Sequence, residues 1–199
     1  EPSRRQRQMC IRDRISTSGF EKDWWEYDHA GDSWTQKNNF GGQARGLATS
    51  LVIGDKAYLG TGWTTGNIYF KDFWEYNPTT DAWTQKANFG GTERREAIAF
   101  SIAGKGYLGT GFKFGNGEFS DFWEYNPTTD NWTQKSGFNG AARKQAIAFS
   151  IGEKAYIGLG SDFSGSSFKD VWEYDPFKTQ YSLSICLLYT SPSPRDLAQ

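Results

Sequence analysis

A tryptophan that returns every 49 residues is the feature that most constrains the fold of this chain. Each copy lies in a stretch like KDFWEYNPTTDAWTQK, which spans residues 71–86. Repeats of about this length, with short strands and turn residues inside them, are typical of β-propeller blades. The period therefore predicts an all-β chain made of four-stranded antiparallel blades. The recurring tryptophans are Trp25, Trp74, Trp123 and Trp172, and a second set follows at Trp34, Trp83 and Trp132.

The third repeat is complete and divides into four strand-like segments. The first is a short apolar run of the kind expected for a buried strand, and the tight turn Ala103-Gly104 leads from it to the second. A longer loop precedes the third strand, and a turn beginning Asn126-Pro127 precedes the fourth. The four predicted strands are residues 96–102, 105–111, 121–125 and 131–135.

Counting strands along the chain predicts two complete blades and two partial ones, which make an incomplete ring. The partial blades hold strands three and four at residues 20–40 and strands one to three at residues 143–177. Because each blade buries its faces against its neighbours, open faces and unpaired edges would meet water. We therefore expect this stretch alone to be marginally stable and prone to aggregation. The complete blades are residues 45–88 and 94–137.

The two ends of the chain resemble translated sequencing adapters. The codons ATG-TGT-ATA-AGA-GAC encode residues 9–13, and the opposite strand of that DNA, slightly extended, reads TGT-CTC-TTA-TAC-ACA-TCT and encodes residues 186–191. A basic nucleic-acid arm and a short apolar membrane tail are the alternative interpretations of these ends. We assign 1–14 and 185–199 to adapter-derived sequence and 15–184 to the propeller.

Composition excludes several classes of function for residues 15–184, which we call the body. The net charge is −1 for the whole chain, and the first 14 residues carry an excess of three positive charges, so the body is mildly acidic and no nucleic-acid partner is expected. No apolar run is long enough to span a bilayer, so membrane insertion is not expected. Both cysteines, Cys10 and Cys186, lie in the ends, and His29 is the only histidine. We therefore predict no disulfide, metal or cofactor.

The repeat resembles a kelch repeat, and in particular those of galactose-oxidase-like kelch proteins common in Bacteroidetes-type bacteria. The resemblance rests on Arg-x-x-Ala, Lys-x-Tyr-Leu-Gly-x-Gly, Asp-x-Trp-x-Tyr-x-Pro and Trp-Thr-Gln-Lys, and covers residues 20–178. The paired glycines usual in kelch motifs are split here, as in Gly109-Thr110-Gly111. A WD40 repeat would need recurring Gly-His and Trp-Asp pairs, which are absent from the sequence. The resemblance implies export to the surface or beyond, and the copper site of galactose oxidase cannot be built from one histidine and no body cysteine.

Residues that recur in every repeat are expected to serve the architecture, because a binding or active site is asymmetric. Both tryptophan sets are predicted to pack between blades, where each ring buries about 150–250 Å². An arginine precedes the first strand of each repeat and is predicted to hold nearby carboxylates or carbonyls. These arginines are Arg45, Arg94 and Arg143.

Residues that differ between repeats are the candidates for ligand binding. They lie in the loops between strands two and three and just before strand one, and in propellers these loops share one face. Aromatic rings would cover sugar faces and amides or carboxylates would bind hydroxyls; alternatively, the rings only cover the sheet edge. The candidates are Trp63, Asn67, Phe112, Phe114, Asn116, Asp162 and Phe163, with Arg95 and Lys144 as basic contacts, whereas Gly46 occupies the same slot in another repeat.

Two hypotheses for function follow from these patterns. The first is a non-catalytic binding or scaffold module, secreted or on the cell surface, that recognises a protein or a glycan. The second is part of a kelch-propeller enzyme, of the sugar oxidase or sialic-acid epimerase type, whose catalytic residues lie in further blades. The chain itself shows no catalytic constellation: His29 is a lone turn residue, and Gly109–Gly115 departs from a dinucleotide-binding loop. The oligomeric state is left unassigned.

Overall fold

The computed structural model describes residues 7–11, 15–16 and 19–178, and side chains from residue 19 onward. The first sheet contains β1 (Arg7–Ile11), β4 (Trp24–Asp28) and β5 (Ser33–Lys37), and a small ribbon of β2 (Ile15–Ser16) and β3 (Gly19–Phe20) lies between β1 and β4 in the chain. The strands are antiparallel, in the order β1-β4-β5. This sheet is the first blade.

The second blade has four antiparallel strands and its own ribbon. Its strands are β6 (Thr49–Ile53), β7 (Lys56–Gly60), β10 (Phe73–Asn77) and β11 (Ala82–Lys86), paired in that order. The ribbon, which connects β7 to β10, consists of β8 (Trp63–Thr64), a 3-10 turn (Thr65–Asn67) and β9 (Ile68–Tyr69).

The third blade repeats this plan, and the fourth has three strands. The third contains β12 (Ile98–Ile102), β13 (Lys105–Gly109), the ribbon β14 (Phe112–Lys113) with β15 (Gly117–Glu118), β16 (Phe122–Asn126) and β17 (Asn131–Lys135). The fourth contains β18 (Ile147–Ile151), β19 (Lys154–Gly158) and β20 (Val171–Tyr174). Apart from the three two-stranded ribbons, the described sheets are thus two four-stranded blades and two three-stranded ones, and they do not close a ring.

The predicted strands of the third repeat are found, but the first two are shorter than expected. The prediction began the first strand at Glu96 and ended the second at Gly111, whereas β12 begins at Ile98 and β13 ends at Gly109. The reason is local backbone geometry. Glu96 and Thr110 have positive φ values of 58° and 56°, which an extended strand cannot contain.

The first blade has one more strand than the sequence predicted. Strand β1 comes from residues 7–11, within the segment assigned to adapter sequence, and it pairs with β4 along its full length. An uncovered strand edge offers unpaired N–H and C=O groups to any extended segment nearby. This pairing does not test whether residues 1–14 derive from adapter sequence, which stays a prediction.

Neighbouring blades pack face to face, and we call each such interface a seam. Strand β12 alternates large and small residues, so that Ile98, Phe100 and Ile102 all point toward the fourth blade and pack there against Tyr174 and Ile157. The smaller Ala99 packs on the opposite face, against the second blade. The strand is therefore covered on both sides, with its bulk directed to one of them.

A tyrosine of the repeated Trp-Glu-Tyr sequence closes each seam. Tyr125 of β16 lies edge-on to Phe73 of the preceding blade, at 4.9 Å between ring centroids, and contacts Tyr58 at 5.7 Å. Its hydroxyl donates to Asp130 Oδ1 at 2.8 Å, and the same carboxylate oxygen accepts the backbone N–H of Ala87 in the preceding blade. Apolar packing and a hydrogen bond thus fix the same pair of blades.

The recurring tryptophans occupy equivalent surroundings. Trp123 donates its indole N–H to Asp121 at 2.8 Å and lies edge-on to Phe89 at 5.9 Å, and the same two contacts recur for Trp74 and Trp172. In the second set, the ring of Trp132 crosses a seam to Phe73 of the preceding blade. Trp83 likewise contacts Trp24. Trp25 donates to Asp23.

Trp34 differs from its equivalents. Its ring packs on Tyr27 of its own blade and is 50% exposed, because no sheet among the described residues lies against that side of β5. The expected packing between blades therefore applies in the structure to Trp83 and Trp132 but is not seen for Trp34.

The arginine before each first strand forms a buried clamp. Arg94 makes two hydrogen bonds to the carboxylate of Asp121, donates to the carbonyls of Thr92 and Thr110, and lies between the rings of Phe89 and Phe119. It is fully buried. The clamp ties the end of the second strand to the start of the third. The same contacts recur for Arg45 with Asp72 and for Arg143 with Asp170.

The clamps make folding depend on ionised aspartates. Burial raises the pKa of Asp121, but the hydrogen bonds and charge of Arg94 and the N–H of Trp123 lower it by more, so that the net shift is downward. Hydrogen bonds from Arg143 likewise lower the pKa of Asp170. A pKa below the unfolded value of about 3.9 stabilises the fold above that pH, and this contribution is lost as the pH falls through the folded pKa.

Replacing Arg94 with leucine is expected to lower the free energy of unfolding by about 3–5 kcal/mol, because Asp121 would lose the partner of its largely buried charge. Denaturant titration measures the change. Lys113→Leu is the matched control: it removes a more exposed ion pair, with Glu93 at 2.6 Å, and is expected to cost less than about 1 kcal/mol. Equal costs for the two variants would contradict the clamp's role.

Within the described part of the chain, nothing covers one apolar face of the fourth blade. Ile147, Phe149 and Ile151 of β18 are 48%, 46% and 64% exposed, whereas the equivalent residues of β12 are nearly inaccessible. The 199-residue chain is therefore expected to associate with itself through this face in a concentration-dependent way. Phe149→Lys should shift sedimentation toward monomer, and Glu153→Lys in the nearby exposed hairpin should not. A monodisperse wild-type monomer that melts cooperatively would contradict this expectation.

Candidate functional site

The loops between strands two and three and the connectors that precede strand one share one face of the blades, which we call the loop face. The backbone shows this directly: Arg95 of a connector and Phe112 of a loop exchange two hydrogen bonds, at 3.0 and 2.9 Å. Gly111 permits this approach, because its φ is 96° and a Cβ atom there would lie 2.7 Å from the carbonyl oxygen of Arg95.

Each of three blades presents a rung of three directly opposite residues on the loop face. In the third blade Phe112 pairs with Arg95 on one side and Glu118 on the other. Residues directly opposite in antiparallel strands project their side chains to the same side. The backbone of the rung repeats, but its chemistry does not. The other two rungs are Gly46-Trp63-Tyr69 and Lys144-Ser161-Ser167.

Cations of one rung lie over aromatic rings of the preceding one. The guanidinium of Arg95 lies 4.7 Å from the ring centroid of Trp63 and 5.4 Å from that of Phe112. The ammonium of Lys144 lies 4.9 Å from Phe112 and 5.3 Å from Phe163. Phe112 and Phe163 stack nearly parallel at 5.4 Å. The structure therefore brings these five candidate residues together, in an alternating series of rings and cations.

The remaining candidates lie at the edge of this series. Phe114 is exposed, and its backbone N–H donates to the hydroxyl of Tyr69 in the neighbouring ribbon at 3.1 Å. Asn67 and Asn116 lie exposed at the turns of their ribbons. Asp162 accepts hydrogen bonds from Ser164 and from the backbone of Ser166, and these bonds lower its pKa. Its carboxylate orders its own loop.

Burial also separates the candidate aromatic residues. Phe112 is almost completely buried beneath Arg95 and Lys144, so it supports the surface, whereas Phe163 is 65% exposed and can meet a ligand. Sequence reasoning treated the two rings alike, because residue type and spacing carry no information about which ring the neighbouring cations cover.

Three residues of the site were missed at the sequence level: Tyr69, Glu96 and Glu118. Tyr69 and Glu118 complete two of the rungs, and Glu96 adjoins Arg95. Glu96 could have been found from the sequence, since the equivalent positions are Leu47 and Gln145 and the slot therefore varies between repeats in the same way as its neighbour Arg95.

Glu96 is a buried carboxylate beside the rungs. Its side chain is 5% exposed, and Oε1 lies 3.2 Å from Arg95 Nε. Burial raises the pKa of Glu96; the charges of Arg95 and Lys144 lower it by less, and Glu118 raises it further. Its backbone N–H donates to Leu47 O at 3.0 Å and its carbonyl accepts from Gln145 N at 3.3 Å, so three blades hold it in place.

The raised pKa of Glu96 gives a test with a defined sign. The folded state binds protons more tightly at this site than the unfolded state, whose glutamate pKa is about 4.3, so its contribution to stability falls as the pH rises through the folded pKa. Glu96→Gln should therefore increase the unfolding free energy near neutral pH and have little effect near pH 4. Denaturant titrations at the two pH values measure this, with Glu153→Gln as the exposed control. A loss of stability at neutral pH would contradict the assignment.

The described residues supply no obvious metal site. Within them, no group of three or more histidine, cysteine, aspartate and glutamate side chains is placed to hold a metal ion. The same part of the chain has no helix with the length and apolar character needed to cross a bilayer.

Comparison with known proteins identifies the fold and no more. No family model matches the chain, and no curated protein matches it. Among solved structures, that of YjhT superposes with a TM-score of 0.75 over 90% of this chain at 19% identity. The match covers 62% of YjhT, so this chain spans less than two thirds of that protein's length. With the four-stranded antiparallel sheets, this likeness confirms the predicted architecture: the chain is a run of β-propeller blades.

Proposed function

We propose that the chain is a non-catalytic binding module whose loop face recognises a protein or a glycan. The observation that carries the proposal is the contrast within the rungs. Three blades repeat one backbone arrangement, yet the side chains placed on it are Gly-Trp-Tyr, Arg-Phe-Glu and Lys-Ser-Ser. Packing alone would favour the same residues at each seam, as it does at the arginine clamps. Variation on a constant scaffold is typical of a recognition surface.

The surface has the composition of a recognition site. Exposed rings such as Phe163 and Phe114 provide apolar contact, Lys144 provides a charge next to Phe163, and Arg95 provides one over Trp63. Aromatic and arginine side chains dominate binding energy in protein interfaces, and the same groups stack on sugar rings. The kelch-type resemblance extends the proposal to a galactose-oxidase-like kelch protein of a bacterium, secreted or at the cell surface.

A catalytic role is the second candidate, and Glu96 is the observation that favours it. A carboxylate whose pKa is raised by burial is a common form of general acid, and burial outweighs the opposing charge of Arg95 at Glu96. Turnover of a bound ligand that is lost in Glu96→Gln, with binding retained, would favour the enzyme. Binding without turnover would favour the module.

The loop-face proposal is tested by screening the chain against arrayed glycans and an extracellular protein library, with Phe163→Ala and Phe114→Ala as the diagnostic variants. Both rings are exposed, so their removal should not disturb folding. We expect each variant to weaken binding by at least about tenfold, equivalent to roughly 1.4 kcal/mol. Phe177→Ala, an exposed ring in the segment that follows β20, is the matched control. Binding unaffected by either loop variant would refute the proposal.

A further inference from the structure

We propose that the seam between the second and third blades binds one neutral sugar residue, through the side chains of Trp63, Arg95, Glu96 and Glu118. The inference rests on the proposed function and specifies its ligand. It starts from four buried polar atoms that have no hydrogen-bond partner within the described part of the chain. They are Nε1 of Trp63, Nε of Arg95, Oε2 of Glu96 and Oε1 of Glu118.

The four side chains belong to one connected group. Arg95 lies over the Trp63 ring at 4.7 Å and 3.2 Å from Glu96 Oε1, without the alignment of a hydrogen bond. Glu118 is on the same rung as Arg95, with Phe112 between them. Its charge also acts on Glu96, whose pKa it raises. The unsatisfied atoms therefore belong to one series of neighbouring side chains at the seam, in which Trp63 and Arg95 offer N–H donors and the two glutamates offer acceptors.

Such an arrangement is costly unless a ligand completes it. A buried polar group without a partner costs about 1–3 kcal/mol, and folded proteins contain few of them. The clamps show that this fold can satisfy a buried cation: all three nitrogens of the Arg94 guanidinium donate hydrogen bonds, to Asp121 and to the carbonyls of Thr92 and Thr110. The unsatisfied Nε of Arg95, one residue later, therefore belongs to this position, whereas the unsatisfied hydroxyls of Thr61 and Thr110 recur between repeats.

The chemistry of the four atoms selects a neutral polyol ring. A hydroxyl group donates one hydrogen bond and accepts others, so adjacent sugar hydroxyls can donate to Glu96 and Glu118 while accepting from Trp63 and Arg95. The two cations nearby, Arg95 and Lys144, are balanced by the two carboxylates, which leaves no net charge to attract an ionic ligand. The adjoining rungs would then contact further residues of the same glycan.

The test uses five monosaccharides that share one ring size and differ in charge: galactose, glucose and mannose as neutral probes, glucuronate as the acidic probe and glucosamine as the cationic probe. Binding to the full 199-residue chain is measured by ligand-observed NMR and by tryptophan fluorescence. We expect at least one neutral sugar to bind more tightly than both charged probes.

Two conservative variants identify the site. Trp63→Phe keeps an aromatic face and removes the N–H donor, and Glu118→Gln keeps the shape and removes the charged acceptor. Each should weaken neutral-sugar binding by about tenfold or more, as expected for a hydrogen bond to a charged or buried group. Glu93→Gln is the control, because Glu93 lies on the same loop face but is paired with Lys113 at 2.6 Å. It should leave the sugar affinity unchanged.

Several results would overturn the inference. One is that no neutral sugar binds, and another is that glucuronate or glucosamine binds equally well or more tightly. A third is sugar binding that both Trp63→Phe and Glu118→Gln leave intact. A fourth is capture of a protein in place of a sugar. If in any of these cases Phe163→Ala or Phe114→Ala still abolishes ligand capture on the arrays, the loop-face function stands and only the sugar subsite fails. If the arrays also show no dependence on the loop rings, both fail together.

Discussion

Face-to-face packing between blades is the interaction on which the rest of the structure depends. A blade cannot cover its own two faces. Ile98, Phe100 and Ile102 are therefore buried by packing against Tyr174 and its neighbours across the seam. Each buried ring removes about 150–250 Å² from water. The requirement explains the strict 49-residue period, because residues on the two sides of a seam must remain complementary in every repeat. It also explains the alternation of large and small residues along the first strand.

The buried arginines connect this packing to the loop face. Arg94 fixes its own backbone and the carbonyl of Thr110, and the next residue in the chain, Arg95, begins the variable rung. Arg94, which recurs in every repeat, thus lies directly beside Arg95, at a position that varies between repeats. The clamp holds the geometry of the rung constant while its side chains differ between blades. This is why neighbouring loops can carry different chemistry without a loss of register.

The loop face contains buried carboxylate oxygens that have no hydrogen-bond partner among the described residues. At the seams the tyrosine hydroxyls are paired, as in Tyr125 with Asp130, whereas Glu96 and Glu118 each keep a carboxylate oxygen buried without a hydrogen-bond partner. Proteins retain such groups at the expense of stability where they serve recognition or chemistry. The opposite pKa shifts of Asp121 and Glu96 express the same division: one carboxylate stabilises the fold by being charged, and the other is easier to keep neutral.

The sequence by itself determined the architecture and part of the site. The Trp-Glu-Tyr strand, its Asn-Pro turn and the repeating glycines are local signals, so strand order and blade boundaries could be predicted, and comparison of repeats selected Trp63, Arg95 and Phe112 as variable. The tertiary structure alone decided what lies across each seam. It placed Arg95 over Trp63, buried Phe112, left Trp34 exposed and joined Glu96 to the site. The contact of Arg95 with Trp63 joins two different blades, and the burial of Phe112 and the exposure of Trp34 depend on which neighbour covers each ring. Periodicity records only that a residue repeats, not what it touches.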